Sequence, residues 1–373
     1  MHTFYQQHFG GQRGRDFLIA MFMGGPAFLL LGLFMIWPVI RGIDLSRTNQ
    51  RFDGAQAANV GWSNYDKILS VNVIRLPDIP DPLPEEAPAA GWYRSNDGEL
   101  IFRWRARGLE EIGLGQYADY EIARQFSIRD NQYAVIAKDP LFWKALLNNF
   151  YFVLIVVPVQ TALALLLALL INQKLPYRNV FRTLYFSPVA TAMVIIAVVW
   201  LFLYNPQYGL INQMLDTLSG GQLGPYKWLQ SSKMAMPAIM IMSIWQGVGF
   251  QMIIFLAGLQ DIPEDLYEAS GIDGANAWQK FRFVTLPMLR NTTIFVVLTT
   301  TILAFRLFDQ VNVMTPDGGP NESTATMVWY AIRRGWGQSE VGYASAVSIV
   351  FVGIVLIISL IQRGVIRSGD AAE

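Results

Sequence analysis

Long apolar runs alternate with polar segments along this chain, and the first run sets the scale. Phe17 to Ile40 is 24 residues without a charge. An α-helix rises 1.5 Å per residue, so about 20 apolar residues cross the hydrocarbon core of a bilayer. Comparable runs recur at about 148–171, 183–204, 234–259, 291–314 and 341–362. The pattern predicts six membrane-spanning helices. Arg13 and Arg15 precede the first run as in a secretory leader, but a leader's apolar core is only about 7–15 residues long. The first run is therefore read as a retained span, bent or closely packed at Gly24-Gly25-Pro26. Pro188, near the start of the third run, predicts a kink, because proline leaves a helical carbonyl without its donor.

The polar segments divide the chain. It reads as a tail over 1–16, a first span and the start of an outer region over 17–69, an insertion over 70–138, a core of spans over 139–363, and a tail over 364–373. The insertion opens on Pro77, Pro80, Pro82, Pro84 and Pro88, which excludes continuous helix. Trp92-Tyr93-Arg94 and Leu100 to Arg107 flank Asn96-Asp97-Gly98, the pattern of a β-hairpin. In the second arm Phe102, Trp104 and Ala106 alternate with Arg103, Arg105 and Arg107, which puts three cations on one strand face. Such a face is either a docking surface for a soluble partner or an ordinary solvated one.

Basic residues in the short connecting segments set the orientation. Arg13, Arg15, Lys174, Arg178, Arg182, Lys280, Arg282, Arg290, Arg363 and Arg367 fall on one side. Lys227, Lys233, Arg333 and Arg334 fall on the other, with the long segment after the first span set aside. Ten against four places both termini in the cytoplasm and the insertion outside.

Composition narrows the function. The 373 residues are 53% hydrophobic and 15% charged, against about 25% charged in soluble domains. Lys+Arg and Asp+Glu balance at 28 each, which gives no footprint for nucleic acid. There is no cysteine, and His2 and His8 are the only histidines, so thiolate chemistry and a histidine metal site within the spans are excluded. No Gly-x-x-x-x-Gly-Lys-Ser/Thr loop is present to cradle a nucleotide. Any energy source has to come from another subunit or an ion gradient.

Polar side chains inside spans are costly and mark candidate sites. In the fourth run Ser243, Gln246 and Gly247 recur at helical spacing, with Phe250 one turn on. That polar-plus-aromatic stripe suits sugar hydroxyls and pyranose faces; interhelical hydrogen bonding is the alternative. In the fifth run Thr299, Thr300 and Thr301 precede Arg306, Asp309 and Gln310. Arg306 is a candidate for substrate contact or gating. It could also pair with Asp309 three residues on, or extend outward to the headgroups.

Between the fourth and fifth runs, 261–290 forms a polar island. Asp261 and Glu264 have capping-box spacing, with Pro263 in the first turn, and Leu266, Ala269 and Ile272 then recur at helical spacing. Asp273-Gly274 breaks this helix, a second amphipathic segment follows through Trp278 and Phe281, and Leu286-Pro287 closes it. Two short helices at a fixed angle are either a knob for a partner's socket or a plain connector.

Glu268-Ala269-Ser270, Gly274 and Val284-x-Leu286-Pro287 resemble the signature loop of permease subunits in binding-protein-dependent ABC importers. Phe308-Asp309-Gln310-Val311, Gly318-Gly319-Pro320 and Gly342-Tyr343-Ala344-Ser345-Ala346 are similar to the carbohydrate permeases of the maltose and glycerol-phosphate kind. The resemblance covers roughly 17–69 and 139–363. It implies an all-α integral membrane protein with six transmembrane helices, interrupted by an external insertion after the first. It implies a non-catalytic subunit without cofactor, in a bacterial or archaeal cytoplasmic membrane. The implied partners are a second permease, two ATPase subunits or domains that bind the ATP, an external substrate-binding protein and membrane lipid. The implied cargo is an oligosaccharide, glycoside or related polyol. Glu268, Ala269, Ser270, Gly274, Leu286 and Pro287 would couple to the ATPase. Ser243, Gln246, Gly247, Phe250 and Thr300 match sugar-facing positions of maltose-type relatives, while Ala304 and Leu307 stand where polar sugar ligands are expected. The competing readings are an ion-coupled secondary transporter, for which the spans offer almost no carboxylate besides Asp309, and a membrane scaffold protein.

Overall fold

The structure is a computed structural model that describes residues 12–53, 56–84, 88, 90–94, 100–110, 112–129, 131–173 and 177–370. Lys174 and the Asn96-Asp97-Gly98 turn lie outside the described residues, as do the side chains of Arg13, Arg15, Arg107 and Arg367.

Helix α1 covers 12–46, as Gln12–Leu31 and Trp37–Ser46 joined by a π-helical turn, Gly32–Ile36. A short α2 (Ser63–Leu69) leads into strand β1 (Val71–Arg75). Strands β2 (Gly91–Arg94) and β3 (Leu100–Arg103), the single turn α3 (Ala106–Leu109), and strands β4 (Glu121–Ile128) and β5 (Asn131–Ala137) follow. Next come α4 (Pro140–Asn172), α5 (Arg178–Ala190), α6 (Met193–Leu203), α7 (Leu210–Ser219) and α8 (Ala235–Gln260). The polar island holds α9 (Glu264–Ile272) and α10 (Ala277–Lys280). The last helices are α11 (Arg290–Phe305), α12 (Asp309–Met314), α13 (Met327–Ile332) and α14 (Val341–Asp370).

Among the described residues, five stretches are long and apolar enough to cross a membrane: Ile19–Ser46, Pro140–Asn172, Ala235–Gln260, Arg290–Met314 and Val341–Gly364. The third predicted span is different. It is the pair α5 and α6, bent by 98°, and it makes a sixth span only if counted as one broken helix. Pro188 is absorbed inside α5, and the chain turns three residues later, where Thr191 is extended and a new helix starts on the Ala192 carbonyl. α5 is seated on α8 at Gly249, where an added Cβ would lie 1.9 Å from the Tyr185 carbonyl oxygen.

The chain divides into two compact units, Met1–Asp66 with Arg334–Val350, and Lys67–Arg333 with Phe351–Glu373. In the first, Gly342 lets backbone touch backbone: an added Cβ would meet the Thr48 carbonyl oxygen at 2.0 Å. The Gly342 amide donates to the Gln50 carbonyl at 3.1 Å beside the Arg51–Glu340 bridge. Ala346 is fully buried, as its small-residue stripe with Gly342 predicts.

In the second unit, α4, α8 and α11 pack through Ala164 and Ala168, Val248, Met252 and Phe255, and Leu289 and Val296. Small residues on α4 allow close approach where no hydrophobic drive exists between helices in lipid. The same unit carries the strands. β1, β5 and β4 form an antiparallel sheet in that order, and β2 pairs with β3 in register Trp92↔Phe102. The three-stranded sheet goes beyond the hairpin that the sequence pattern predicts; β1 and β4 both pair with β5, and a bulge between Ile122 and Arg124 shifts the register of β4 by one residue. The expected cationic strand face is also corrected. β3 stops at Arg103, which donates to the Pro88 carbonyl, and Arg105 already leads into α3. Trp92 and Phe102 face inward, onto Ile74, Leu76, Ala134 and Ile136.

Candidate functional site

A cavity of about 460 Å³ opens between α4, α8, α11 and the start of α12. Ser243, Gln246, Gly247, Phe250, Thr300 and Arg306, the six candidates from the sequence, all line it, and so do Ala304 and Leu307. Their chemical availability differs. Ser243 is buried and donates to the Ile239 carbonyl of its own helix at 2.8 Å. Thr300 donates to the Val296 carbonyl at 2.7 Å and accepts from Gln251 Nε2 at 2.6 Å, so it serves first as an interhelical bond. Gly247 makes room: an added Cβ would stand 2.1 Å from Nε2 of Gln160. Gln246 is half-buried, and Phe250 is 42% exposed.

Arg306 and Asp309 both reach the cavity wall but form no ion pair with each other among the described residues. The reason is backbone geometry. Arg306 is the C-cap of α11, and Phe308 departs from helix at φ −143°, ψ −59°, so the three-residue spacing of a continuous helix is lost. Two further residues, Gln160 on α4 and Gln251 on α8, complete an amide-rich wall. The Gln251 Oε1 atom is buried without a hydrogen-bond donor among the described residues. Both glutamines could have been flagged as lone amides within apolar runs; their convergence on one cavity required the helix packing.

At the other end of α8 lies the polar island, differently capped from its expectation. Asp261 is the C-cap of α8, not the N-cap of α9, whose N-cap is Pro263 without a side-chain bond. The capping box belongs to α10 instead: Asn276 accepts from the Gln279 amide at 3.0 Å, and the Gln279 side chain accepts from the Asn276 amide at 2.8 Å. Gly274 ends α9 at φ +77°. Its amide donates to the Gly271 carbonyl, and the Ala275 amide donates to the Ser270 carbonyl at 2.9 Å, a Schellman closure. The elbow is braced by Lys280 Nζ on the Tyr267 carbonyl at 3.1 Å and by Tyr267 and Thr285 hydroxyls 3.0 Å apart. Leu286-Pro287 does not close the second segment. A π-helical turn, Phe281–Thr285, carries the winding through Pro287 to Met288, since widening relieves the clash of a proline ring with the preceding turn.

Glu268 and Ala269 are exposed on this elbow, Ser270 is half-buried with its hydroxyl on the Tyr267 carbonyl, and Leu286 and Pro287 are exposed. Around them Ile272, Trp278 and Phe283 are 88, 67 and 73% exposed. That much bare apolar side chain on a polar island is uncommon for a solvated connector.

The family model for the inner membrane component of binding-protein-dependent transport systems matches residues 140–368. The chain belongs to this family. It is therefore a non-catalytic permease subunit of an ABC importer, which removes the ion-coupled transporter and the scaffold as readings. The lactose transport system permease LacF of Rhizobium radiobacter is 36% identical over 258 residues, covering 68% of this chain and 85% of LacF. The trehalose/maltose permease MalF of Thermococcus litoralis is 36% identical over 226 residues, covering 61% of this chain and 75% of MalF. Among solved structures, a bacterial alginate ABC transporter in complex with a periplasmic protein bound to an alginate pentasaccharide aligns with a TM-score of 0.54 and 25% identity. That alignment covers 60% of this permease and 77% of the matched chain. The matched span of the family begins at α4, so the strand-bearing segment lies outside it.

Proposed function

We propose that this permease carries a neutral or weakly charged oligosaccharide or glycoside through the cavity between α4, α8 and α11. The observation that carries the reading is the convergence of Gln246, Phe250, Arg306 and two further amides from separate helices on one cavity. Amides exchange hydrogen bonds with sugar hydroxyls, and an exposed phenyl ring covers an apolar pyranose face. Relatives whose names specify lactose and trehalose/maltose support a sugar as cargo. A second permease subunit completes the path, an external binding protein delivers the sugar to the side bearing the strands, and one of the two ATPase subunits docks on the α9–α10 elbow. Both termini then lie in the cytoplasm, in keeping with the excess of Lys and Arg on that side.

The test is sugar-stimulated ATPase activity of the reconstituted complex over a panel of maltose, trehalose, lactose and longer oligosaccharides. Gln246→Ala and Phe250→Ala are expected to reduce stimulation by the best sugar about fivefold each, the effect of losing a contact of about 1 kcal/mol. Assembly with partners stays intact, because neither side chain anchors a helix. Wild-type stimulation in both variants at subsaturating sugar would move the site to the other subunit.

A further inference from the structure

The fifth apolar run is interrupted beside the cavity. α11 ends at Phe305, and helix resumes only at Asp309. An interruption at membrane depth frees carbonyls that cannot turn to water, so each needs a donor from a neighbouring element. Two fully buried side chains supply them. Asn149 on α4 donates through Nδ2 to the Phe305 carbonyl at 3.2 Å, and the Thr326 hydroxyl donates to the Leu307 carbonyl at 2.8 Å. The other end of the Asn149 amide, Oδ1, accepts from the Met327 amide at 2.7 Å, at the first residue of α13. One carboxamide thus joins the break to the segment ahead of α13.

That segment is held as a piece. Asn148 donates to the carbonyls of Glu322 and Ala325 at 3.1 and 2.9 Å, and Lys144 lies 3.5 Å from the Glu322 carboxylate. Within it, the Thr315 and Thr324 hydroxyls are 2.8 Å apart, and the Thr324 amide donates to the Gly318 carbonyl at 2.9 Å. Neither Asn149 nor Thr326 lines the cavity, whereas Arg306, Leu307 and Asp309 do.

We propose that Asn149 is a positioning residue for transport: it joins segment 315–327 to the break at 306–308, so that a protein docking on that segment moves Arg306 and Leu307 in the cavity wall. The inference rests on reading the cavity as the sugar path and segment 315–327 as external. Buried hydrogen bonds in a low-dielectric setting hold such a joint stiffly, and packed elements shift between discrete arrangements rather than yielding continuously.

The test uses the complete importer in lipid nanodiscs, with its co-purified binding protein loaded with the sugar that stimulates most in the panel above. Asn149→Ala and Thr326→Val are expected to keep the basal ATPase rate. Stimulation by the loaded binding protein falls about tenfold through kcat, with the half-saturating concentration of binding protein unchanged. Because the chain has no cysteine, Gln310→Cys places a single thiol of this subunit in the cavity wall. Its rate of modification by a polar maleimide is expected to respond to loaded binding protein, and to lose that response when Asn149→Ala is added. Should Asn149→Ala fail to assemble, Thr326→Val, which keeps side-chain shape, decides the matter by the same readouts. A parallel fall of basal and stimulated rates marks Asn149 as a static brace and overturns the proposal. A thiol that responds equally with and without the variants overturns the joint alone. A thiol that ignores the loaded binding protein in the parent overturns the cavity reading and the joint with it.

Discussion

Gly274→Asp is expected to leave the permease inserted in the membrane but unable to hold its ATPase subunits or to couple to them. Gly274 stands at φ +77°, where a side chain is strained by about 1–2 kcal/mol, less for Asp than for most residues. An added Cβ meets nothing within 4 Å, so the subunit's own fold tolerates the change. The damage falls on docking. The carboxylate would lie on an elbow whose Ile272, Trp278 and Phe283 are bare in the isolated chain. Burying an unpaired carboxylate in a dry contact costs several kcal/mol, and about 3 kcal/mol already weakens association about a hundredfold. Gly274→Ala separates strain from charge and retains part of the coupling. Glu268→Ala removes an exposed carboxylate able to form a charge-assisted bond to a partner, with an expected loss of about 1.5–3 kcal/mol. Co-purification of ATPase subunits and transport into vesicles are the readouts. Normal values in both Glu268→Ala and Gly274→Asp would reduce the elbow to a connector.

Gly249→Ala is expected to abolish folded yield, while Gly247→Ala, two residues away on α8, yields a folded subunit with an altered cavity. At Gly249 the new methyl group would sit 1.9 Å from the Tyr185 carbonyl oxygen and 2.7 Å from its carbon. Both are backbone atoms, so α5 would have to retreat from α8 as a body and give up its packing. At Gly247 the obstructing atom is Nε2 of Gln160 at 2.1 Å, the far end of a side chain that can rotate. The measurement is monodisperse yield and thermal unfolding in detergent, followed by sugar-stimulated ATPase for the variant that folds. Equal thermal stability of Gly249→Ala and the parent would show that α5 does not depend on this contact.

The sequence by itself determined the membrane class, the number of apolar runs, the signature loop and six of the residues that come to line the cavity. These are legible because spans are contiguous in the chain, and because Ser243, Gln246, Gly247 and Phe250 share one helical face by spacing alone. Gly274 was legible for a similar reason: a residue free to adopt positive φ ends a helix locally. Only the tertiary structure decided what depends on neighbours distant in sequence. It turned Thr300 into the partner of Gln251, 49 residues away, and Gly247 into the seat of Gln160 on α4. It broke the third run at Thr191 rather than at Pro188, and it parted Arg306 from Asp309 by unwinding the residues between them. It also assembled β1, β5 and β4, strands that pair residues as far apart in the chain as Val71 and Ala137, with a one-residue bulge in β4. Spacing along one helix or strand is a property of the chain. The break in a span and the donor that satisfies its carbonyls belong to different elements, and only their packing brings them together.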